Sequence, residues 1–181
     1  MQLDCIGGKK VMKNRISMGA ILVLLLTAIC PGTSTQINYT STDIGSGRWQ
    51  YTYDVTNINL TENIKEFSIW FDYGLYSNLS IETPNPFAVA WDEIIVQPEL
   101  ILKDDGYYDA LALNTGISQS QTINGFAVSF DWLGDGVMPG PQFYEIIDPT
   151  TYETIDSGWT IPEPATLLLL GLGGLTLRRK K

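Results

Sequence analysis

Short runs of alternating hydrophobic and polar residues fill the middle of the chain, between residues 36 and 161. In the clearest run, Trp49, Tyr51 and Tyr53 alternate with polar residues, and this period of two is typical of a strand with one buried face. Turn-forming Pro, Gly, Asn and Asp residues separate the runs. The pattern predicts strands over the following segments: 49–56, 67–71, 79–81, 94–96, 110–113, 126–132 and 143–147.

About seven short strands, with no amphipathic helix between them, predict an all-β domain. Each strand has one hydrophobic face, and two sheets bury such faces by packing against each other. We therefore expect a single antiparallel β-sandwich, Ig-like or jelly-roll-like, over residues 36–161. The pattern leaves the order of the strands in the sheets open.

A basic, then apolar, then small-residue segment stands at the N-terminal end of the chain. Lys13 and Arg15 precede an apolar run over 16–29, and small or turn-forming residues follow at 31–35. This order is that of a secretory signal peptide, which we predict over residues 1–35. The alternative is an N-terminal core helix, but the run has no polar face.

Signal peptidase is expected to cleave between Cys30 and Gln36, and Met12 is an alternative start of the signal peptide. Cys5 and Cys30 are the two cysteines of the chain, and neither would remain after cleavage. The mature protein would then have no disulfide and no thiolate chemistry. A second interpretation makes Cys30 the lipidated residue of a lipoprotein, although Ile29 stands where a small residue is expected.

The C-terminal end combines a glutamate between two prolines, a short apolar run and a basic end. The run over 165–177 is interrupted only by Thr and Gly. As a helix it would measure about 20 Å, less than the roughly 30 Å hydrocarbon layer, which predicts a marginal membrane anchor in the precursor. The apolar side chains of this helix are Ala165, Leu167, Leu168, Leu169, Leu170, Leu172, Leu175 and Leu177, and the predicted cytoplasmic end is Arg178, Arg179, Lys180 and Lys181.

The residues around the two prolines suit a processing site next to the membrane. Pro164 fits a first helical turn, where no N–H is needed, and Glu163 lies beside the positive end of the helix dipole. Pro162 favours an extended conformation of the residue before it. A short, non-helical stretch is thus expected just outside the membrane, where a processing enzyme can bind it.

This C-terminal segment, residues 162–181, closely resembles the PEP-CTERM sorting domain, whose members end in Pro-Glu-Pro, a short apolar helix and an arginine-rich tail. Here the tail mixes arginine and lysine. The resemblance implies a Gram-negative-type bacterium in which an exosortase, a membrane transpeptidase-like protease, recognises Pro162, Glu163 and Pro164. It implies an inner-membrane-tethered precursor that is sorted to the cell surface or into extracellular polysaccharide. The alternatives to a sorting domain are a buried C-terminal strand and a plain tail anchor.

Residues 125–132 also look like part of the β-rich ectodomains that exported PEP-CTERM proteins carry.

The middle region is strongly acidic. Residues 36–161 contain 18 Asp and Glu against three basic residues, a net charge of 3 − 18 = −15. This charge repels nucleic acid and anionic lipid headgroups, so neither is expected as a partner. The simplest interpretation is a solvated acidic exterior. The alternative is Ca²⁺ bound between carboxylates, at Asp104 and Asp105 or at Asp131 and Asp135.

The sequence offers little for catalysis. It has no histidine, the usual general base and the commonest zinc ligand, and the predicted mature chain has no cysteine nucleophile. Carboxylate pairs could in principle hydrolyse glycosides, but among 18 scattered acids such pairs arise by chance. We expect no enzyme, no catalytic residue, no metal site and no cofactor.

Exposed aromatic side chains suggest a second kind of function. If Phe67, Ile69 and Phe71 face the core, alternation directs Trp70 to the opposite face. Trp91 and Trp159 lie beside turn or loop signals. Sugars stack on exposed aromatic rings, so these three tryptophans are candidates for binding an extracellular polysaccharide. The sequence therefore predicts a non-enzymatic exported surface or matrix protein, in a setting such as a biofilm, with a carbohydrate-binding module as the alternative.

The predicted signal peptide can be tested on exported protein. N-terminal sequencing should find a first residue after Cys30, because the small-residue segment is where signal peptidase cleaves. Recovery of exported protein that still begins at Met1 or Met12 would contradict the signal peptide.

Overall fold

A computed structural model of the chain describes residues 33–84, 90–135 and 138–163. All of these belong to one compact unit, Gly32–Lys181. The predicted signal peptide lies outside the described residues except for its last three positions. The predicted membrane helix and the basic end also lie outside them.

The described residues form ten strands and contain no helix. The strands are β1 (Thr35–Gly45), β2 (Arg48–Asn57), β3 (Glu66–Phe71), β4 (Tyr76–Ile81), β5 (Trp91–Val96), β6 (Gly106–Ala112), β7 (Gln121–Trp132), β8 (Phe143–Ile147), β9 (Thr154–Trp159) and β10 (Ile161–Pro162).

Two five-stranded sheets contain all of these strands. Sheet 1 has the order β10-β1-β2-β7-β4, and sheet 2 has the order β5-β6-β3-β8-β9. Neighbouring strands are antiparallel except β1 and β10, which are parallel. The all-β prediction is thus confirmed, with one parallel edge pair that the sequence pattern did not indicate.

Each of the seven predicted segments is a strand or lies largely within one, but the pattern missed β1, β9 and β10. Strand β1 has a buried face only in its first half, where Thr35, Ile37 and Tyr39 point inward, and its second half is polar and exposed. Strand β9 has no buried residue, and β10 has only two residues. Such strands form because a neighbouring strand supplies backbone hydrogen bonds, which a periodicity of hydrophobic residues does not reveal.

The two sheets pack face to face through large aromatic side chains, the arrangement of a β-sandwich. Phe67 of sheet 2 meets Phe126 of sheet 1 edge-on, with ring centroids 5.0 Å apart. Phe71 of sheet 2 meets Phe130 of sheet 1 at 6.1 Å. All four rings are fully buried. This contact between the two inner faces is the hydrophobic core of the domain.

Tyrosine hydroxyl groups inside the core are satisfied by a hydrogen-bond network around one glutamine. Gln142 is 2% exposed, and its side-chain amide donates to the hydroxyl of Tyr76 at 3.1 Å. Tyr53 donates to the side-chain oxygen of Gln142 at 3.3 Å, and Tyr51 donates to the carbonyl of Gly140 at 2.8 Å. Burial raises the pKa of Tyr51 and Tyr53 far above that of a free tyrosine, so both hydroxyl groups remain neutral.

The first residue of β1 is tied firmly into the domain. The hydroxyl of Thr35 is buried and donates to a carboxylate oxygen of Asp156 at 2.8 Å. The hydroxyl of Tyr144 donates to the carbonyl of Thr35 at 3.0 Å. Cleavage of a signal peptide before Thr35 would leave these contacts intact, whereas cleavage after Thr35 would remove them.

The described residues contain no helix that is long and apolar enough to cross a membrane. The predicted anchor over 165–177 lies beyond the last described residue, Glu163.

Truncating Phe67 to alanine should lower the free energy of unfolding by about 3–5 kcal/mol, because the ring joins both sheets and leaves a cavity when removed. Urea denaturation of a fragment spanning residues 33–163, followed by circular dichroism, measures the change. Phe143→Ala, which removes a partly exposed ring of the same size from the outside of sheet 2, is the matched control and should cost clearly less. Equal losses for the two variants would contradict the assignment of the core.

Candidate functional site

Four aromatic side chains lie in one row across the outer face of sheet 2. In β6 and β3, Tyr107 pairs with Trp70, and in β8 and β9, Phe143 pairs with Trp159. The last pair between β3 and β8 is Ile69 with Tyr144, so the next position places Trp70 opposite Phe143. We call these four residues the aromatic row: Tyr107, Trp70, Phe143 and Trp159.

The strand alternation shows why this row faces outward. The neighbours of Trp70, Ile69 and Phe71, are buried in the core, as is Tyr144 beside Phe143. Successive side chains of a strand point to opposite faces, so the aromatic row points away from the core. Neighbouring strands lie about 4.8 Å apart, and the row crosses four of them, which gives a length of roughly 14 Å.

The rings of the row differ in exposure and support. Trp159 is 64% exposed, while the other three are partly buried. The rings of Trp70 and Tyr107 lie 5.3 Å apart and those of Phe143 and Trp159 lie 5.8 Å apart, at tilted and edge-on angles. The row therefore consists of two aromatic pairs placed side by side, and within each pair the two rings are in contact.

One carboxylate holds the indole of Trp70 in place. The indole N–H donates to Oε2 of Glu145 at 3.0 Å. The other carboxylate oxygen, Oε1, accepts a hydrogen bond from the hydroxyl of Thr154 at 2.9 Å. Because Glu145 is itself held by β9, Trp70 loses less conformational freedom when a ligand stacks on it.

Acidic residues occupy the same face next to the row. A depression of about 300 Å³ lies beside it, lined by Trp70, Tyr107, Glu66, Asp109 and three further residues. Asp109 is only 9% exposed, and its Oδ2 accepts a hydrogen bond from the hydroxyl of Ser68 at 2.6 Å. The site thus combines aromatic rings with carboxylates that are partly shielded from water.

The shielding raises the pKa of two of these carboxyl groups. Burial is the main cause for Asp109, and the nearby charge of Asp92 adds to it, while the hydrogen bond from Ser68 opposes it. Burial also raises the pKa of Glu66, helped by the charges of Asp109 and Asp148. Negative charge on this face is therefore crowded, and a bound cation would relieve the repulsion.

The outer face of sheet 1 is different in kind. Its outward positions on β1, β2 and β7 carry Gln, Asn, Thr, Ser, Asp, Ala and one Arg, with the exposed Ile44 at the bulged end of β1, and no aromatic residue. Arg48 on this face forms an ion pair with Asp131 at 3.0 Å. Aromatic rings are thus concentrated on one of the two outer faces.

Of the three tryptophans that the sequence suggested for sugar binding, Trp70 and Trp159 lie in the aromatic row. The prediction for Trp91 was wrong. Trp91 is 2% exposed and packs against Phe67 at 5.9 Å and Phe126 at 5.1 Å. It is the first residue of β5, and its position there directs it into the core rather than into the adjacent loop.

Sequence analysis also missed Tyr107 and Phe143. Each stands next to another aromatic residue, Tyr108 and Tyr144, and the buried member of each pair is the second one. Alternation says that the two members face opposite ways but not which one faces the core. The register with β3 decides it.

No group of three or more His, Cys, Asp or Glu residues is placed to hold a metal ion in the described part of the chain. Of the acids considered for Ca²⁺, Asp131 pairs with Arg48 and Asn78 instead, and Asp105 accepts the backbone N–H of Tyr73 at 2.9 Å. The paired Asp131 has a pKa below its usual value, chiefly through the hydrogen bonds from Asn78 and Arg48.

The residues around Pro162 form the edge of sheet 1. Pro162 lies opposite Tyr39 in the parallel pair of β10 and β1, and the N–H of Glu163 donates to the carbonyl of Tyr39 at 2.9 Å. Just before β10, Thr160 is 2% exposed, and its N–H donates to the carbonyl of Gln142 at 2.8 Å. The folded domain therefore continues directly into the first two residues of the Pro-Glu-Pro segment; Pro164 lies outside the described residues.

Residues 160–181 match the family described as the PEP-CTERM protein-sorting motif. The chain carries a PEP-CTERM sorting motif. The match begins at the buried Thr160, so the PEP-CTERM segment and the folded domain share residues 160–163. A comparison with curated proteins finds no match.

Solved structures with a similar arrangement of strands include two carbohydrate-binding domains. A family 3b carbohydrate-binding module from the biomass-sensing system of Clostridium clariflavum is 8% identical, covers 72% of this chain and 97% of its own, and has a TM-score of 0.41. The chitin-binding domain of a Streptomyces coelicolor protein is 16% identical over 62% of this chain and 91% of its own, with a TM-score of 0.38.

An inactive mutant of a family GH20 exo-β-N-acetylglucosaminidase from Vibrio harveyi is also similar. It is 6% identical over 73% of this chain, with a TM-score of 0.40, and this chain spans only 18% of the length of that enzyme. TM-scores this low support no inference about function.

Replacing Asp109 by asparagine should flatten the pH dependence of stability. A carboxyl group with a raised pKa in the folded state favours folding below its unfolded pKa of about 4, and this stabilisation is lost as pH rises through the folded pKa. Urea denaturation of residues 33–163 between about pH 4 and pH 7 should show a smaller decline for Asp109→Asn than for the wild type. A decline at least as steep in the variant would refute the raised pKa of Asp109 in the folded protein.

Proposed function

We propose that this PEP-CTERM protein is a non-enzymatic exported protein that an exosortase sorts through Pro162, Glu163 and Pro164. The match of residues 160–181 to the sorting motif carries the proposal. In this account signal peptidase cleaves between Cys30 and Gln36 and removes the signal peptide, and the segment 165–181 tethers the precursor in the inner membrane. The processed protein reaches the cell surface or the extracellular matrix, in a setting such as a biofilm.

The attachment of the motif to the domain bears on how an exosortase gains access to it. Pro162 and Glu163 lie along the edge of sheet 1, and β10 is only two residues long. Short edge strands open at a small cost in free energy compared with unfolding of the domain. An exosortase would thus release β10 from β1 while Thr160 stays buried and the domain stays folded.

A contact between two carboxyl groups holds the motif less firmly as the pH rises. The side chains of Asp54 on β2 and Glu163 are hydrogen-bonded, and burial together with the charge of Glu163 raises the pKa of Asp54. Two carboxyl groups can share a hydrogen bond only when one is protonated, so ionisation of Asp54 as the pH rises weakens the contact. The motif is then held mainly by the backbone hydrogen bond to Tyr39.

The absence of enzymatic activity is proposed from the residues available for chemistry. The chain has no histidine, and residues 36–161 contain no cysteine. Hydroxyl groups and carboxylates remain, and on the outer face of sheet 2 the carboxylates of Asp109 and Glu145 already accept hydrogen bonds from Ser68 and Trp70. Carboxylates that hold neighbouring side chains in place in this way suit a binding surface rather than proton transfer in catalysis.

A second candidate function is the binding of a polysaccharide on the outer face of sheet 2. The observation that favours it is the aromatic row, since pyranose rings stack on aromatic side chains and the opposite outer face has none on β1, β2 and β7. Trp70 and Trp159 keep the role that the sequence suggested, and Tyr107 and Phe143 take the place of Trp91.

Replacement of Pro162, Glu163 and Pro164 by alanine should trap an unprocessed precursor in the membrane. A plain tail anchor would tolerate the change, because loss of the two prolines only lengthens the helix. Mass spectrometry of protein from the native host should find wild-type surface protein without residues 165–181 and a triple variant that retains Lys181.

Ile161→Ala is the matched control for this experiment, since it alters β10 but leaves Pro-Glu-Pro intact. It should be processed like the wild type. Wild-type protein that keeps Lys181 at the cell surface would leave the tail-anchor interpretation in place of exosortase processing.

A further inference from the structure

The acidic residues beside the aromatic row follow the same strand register. Two residues along each strand from Tyr107, Trp70 and Phe143, the outward positions are Asp109, Ser68 and Glu145. Two residues further along β3 comes Glu66. The outer face of sheet 2 is thus ordered: aromatic rings at one end and carboxylates immediately beside them.

No basic residue occupies an outward strand position of this face. The three basic residues between 36 and 161 are Arg48, Lys65 and Lys103. Arg48 lies on sheet 1, Lys65 precedes β3, and Lys103 lies in the loop between β5 and β6. The carboxylates beside the row therefore have no cationic partner on their own strands.

We propose that the outer face of sheet 2 binds a polysaccharide whose sugar residues carry free, protonated amino groups. This inference rests on the polysaccharide-binding candidate above and names its ligand class. The pyranose faces stack on Trp70, Trp159 and their aromatic neighbours, and the ammonium groups lie against Glu145, Asp109 and Glu66.

Charge distinguishes this ligand from other polysaccharides. An anionic polysaccharide would place like charges next to crowded carboxylates, which repel it. A neutral polysaccharide could stack but would cover shielded carboxylates without neutralising them, at a cost in desolvation. An amino sugar supplies stacking and charge neutralisation together, and an ammonium group near an indole adds a cation–π attraction.

The experiment compares three polymers by affinity electrophoresis and pull-down with the full chain in mild detergent. The polymers are partly deacetylated chitin, which carries free amines, neutral cellulose, and anionic alginate. At about pH 6 and low salt the amino polymer should bind at least tenfold more tightly than cellulose, and alginate should not bind. Raising the salt to about 0.5 M should weaken binding to the amino polymer, because exposed charges are screened.

Variants separate stacking from charge. Trp70→Ala and Trp159→Ala should each weaken binding of the amino polymer about tenfold. Glu66→Gln combined with Asp109→Asn should reduce the preference for the amino polymer over cellulose. Thr52→Ala, on the outer face of sheet 1, is the matched control and should bind like the wild type. Circular dichroism of every variant confirms that the fold is retained.

Each failure points to a different step. Equal, salt-insensitive binding of cellulose and the amino polymer would overturn the assignment of the ligand and leave polysaccharide binding standing. Salt-sensitive binding that both tryptophan variants retain would overturn the site, since general attraction to an acidic protein would explain it. No binding to any of the three polymers would overturn the amino-polymer assignment and remove the support for a sugar-binding face, while the sorting proposal, tested by mass spectrometry, is unaffected.

Discussion

The contact of Phe67 with Phe126 between the two sheets is the interaction on which the rest of the structure depends. Phe67 also meets Trp91 and Tyr108 within its own sheet, at centroid distances of 5.9 and 6.1 Å. Edge-on packing of this kind adds to the burial of large apolar areas. Since side chains alternate along a strand, burying Phe67 also fixes which residues of β3 face solvent. The outward position of Trp70 is therefore a consequence of the core.

A second constraint is the need to satisfy polar groups inside this aromatic core. Gln142 serves the hydroxyl groups of Tyr53 and Tyr76, and it also bonds Thr160 through both its backbone N–H and its side chain. Buried polar groups without partners are costly, so these bonds hold the loop before β8 against the end of β9. The same bonds hold the chain at Thr160, where the PEP-CTERM motif begins. The hydrogen bonds of Gln142 thus connect the aromatic core to the first residue of the sorting segment.

The outer faces of the two sheets carry different kinds of side chain. Sheet 1 presents short polar side chains and carries the sorting segment on its edge, next to β1. Sheet 2 presents the aromatic row with carboxylates beside it. Processing at β10 and binding at the aromatic row would then involve different sheets, so a ligand on sheet 2 need not block an exosortase at the edge of sheet 1.

The sequence by itself determined the strand character of the middle region, the acidic charge, the outward position of Trp70 and the sorting motif. These are local properties, set by alternation, composition and a short contiguous motif. It did not find β1, β9 or β10, and it misplaced Trp91. Whether Tyr107 or Tyr108 faces the core, and which residues lie next to Trp70, was decided only by the tertiary structure. The physical reason is that the period of two fixes faces within one strand, whereas the register between strands depends on hydrogen bonds between segments far apart in sequence.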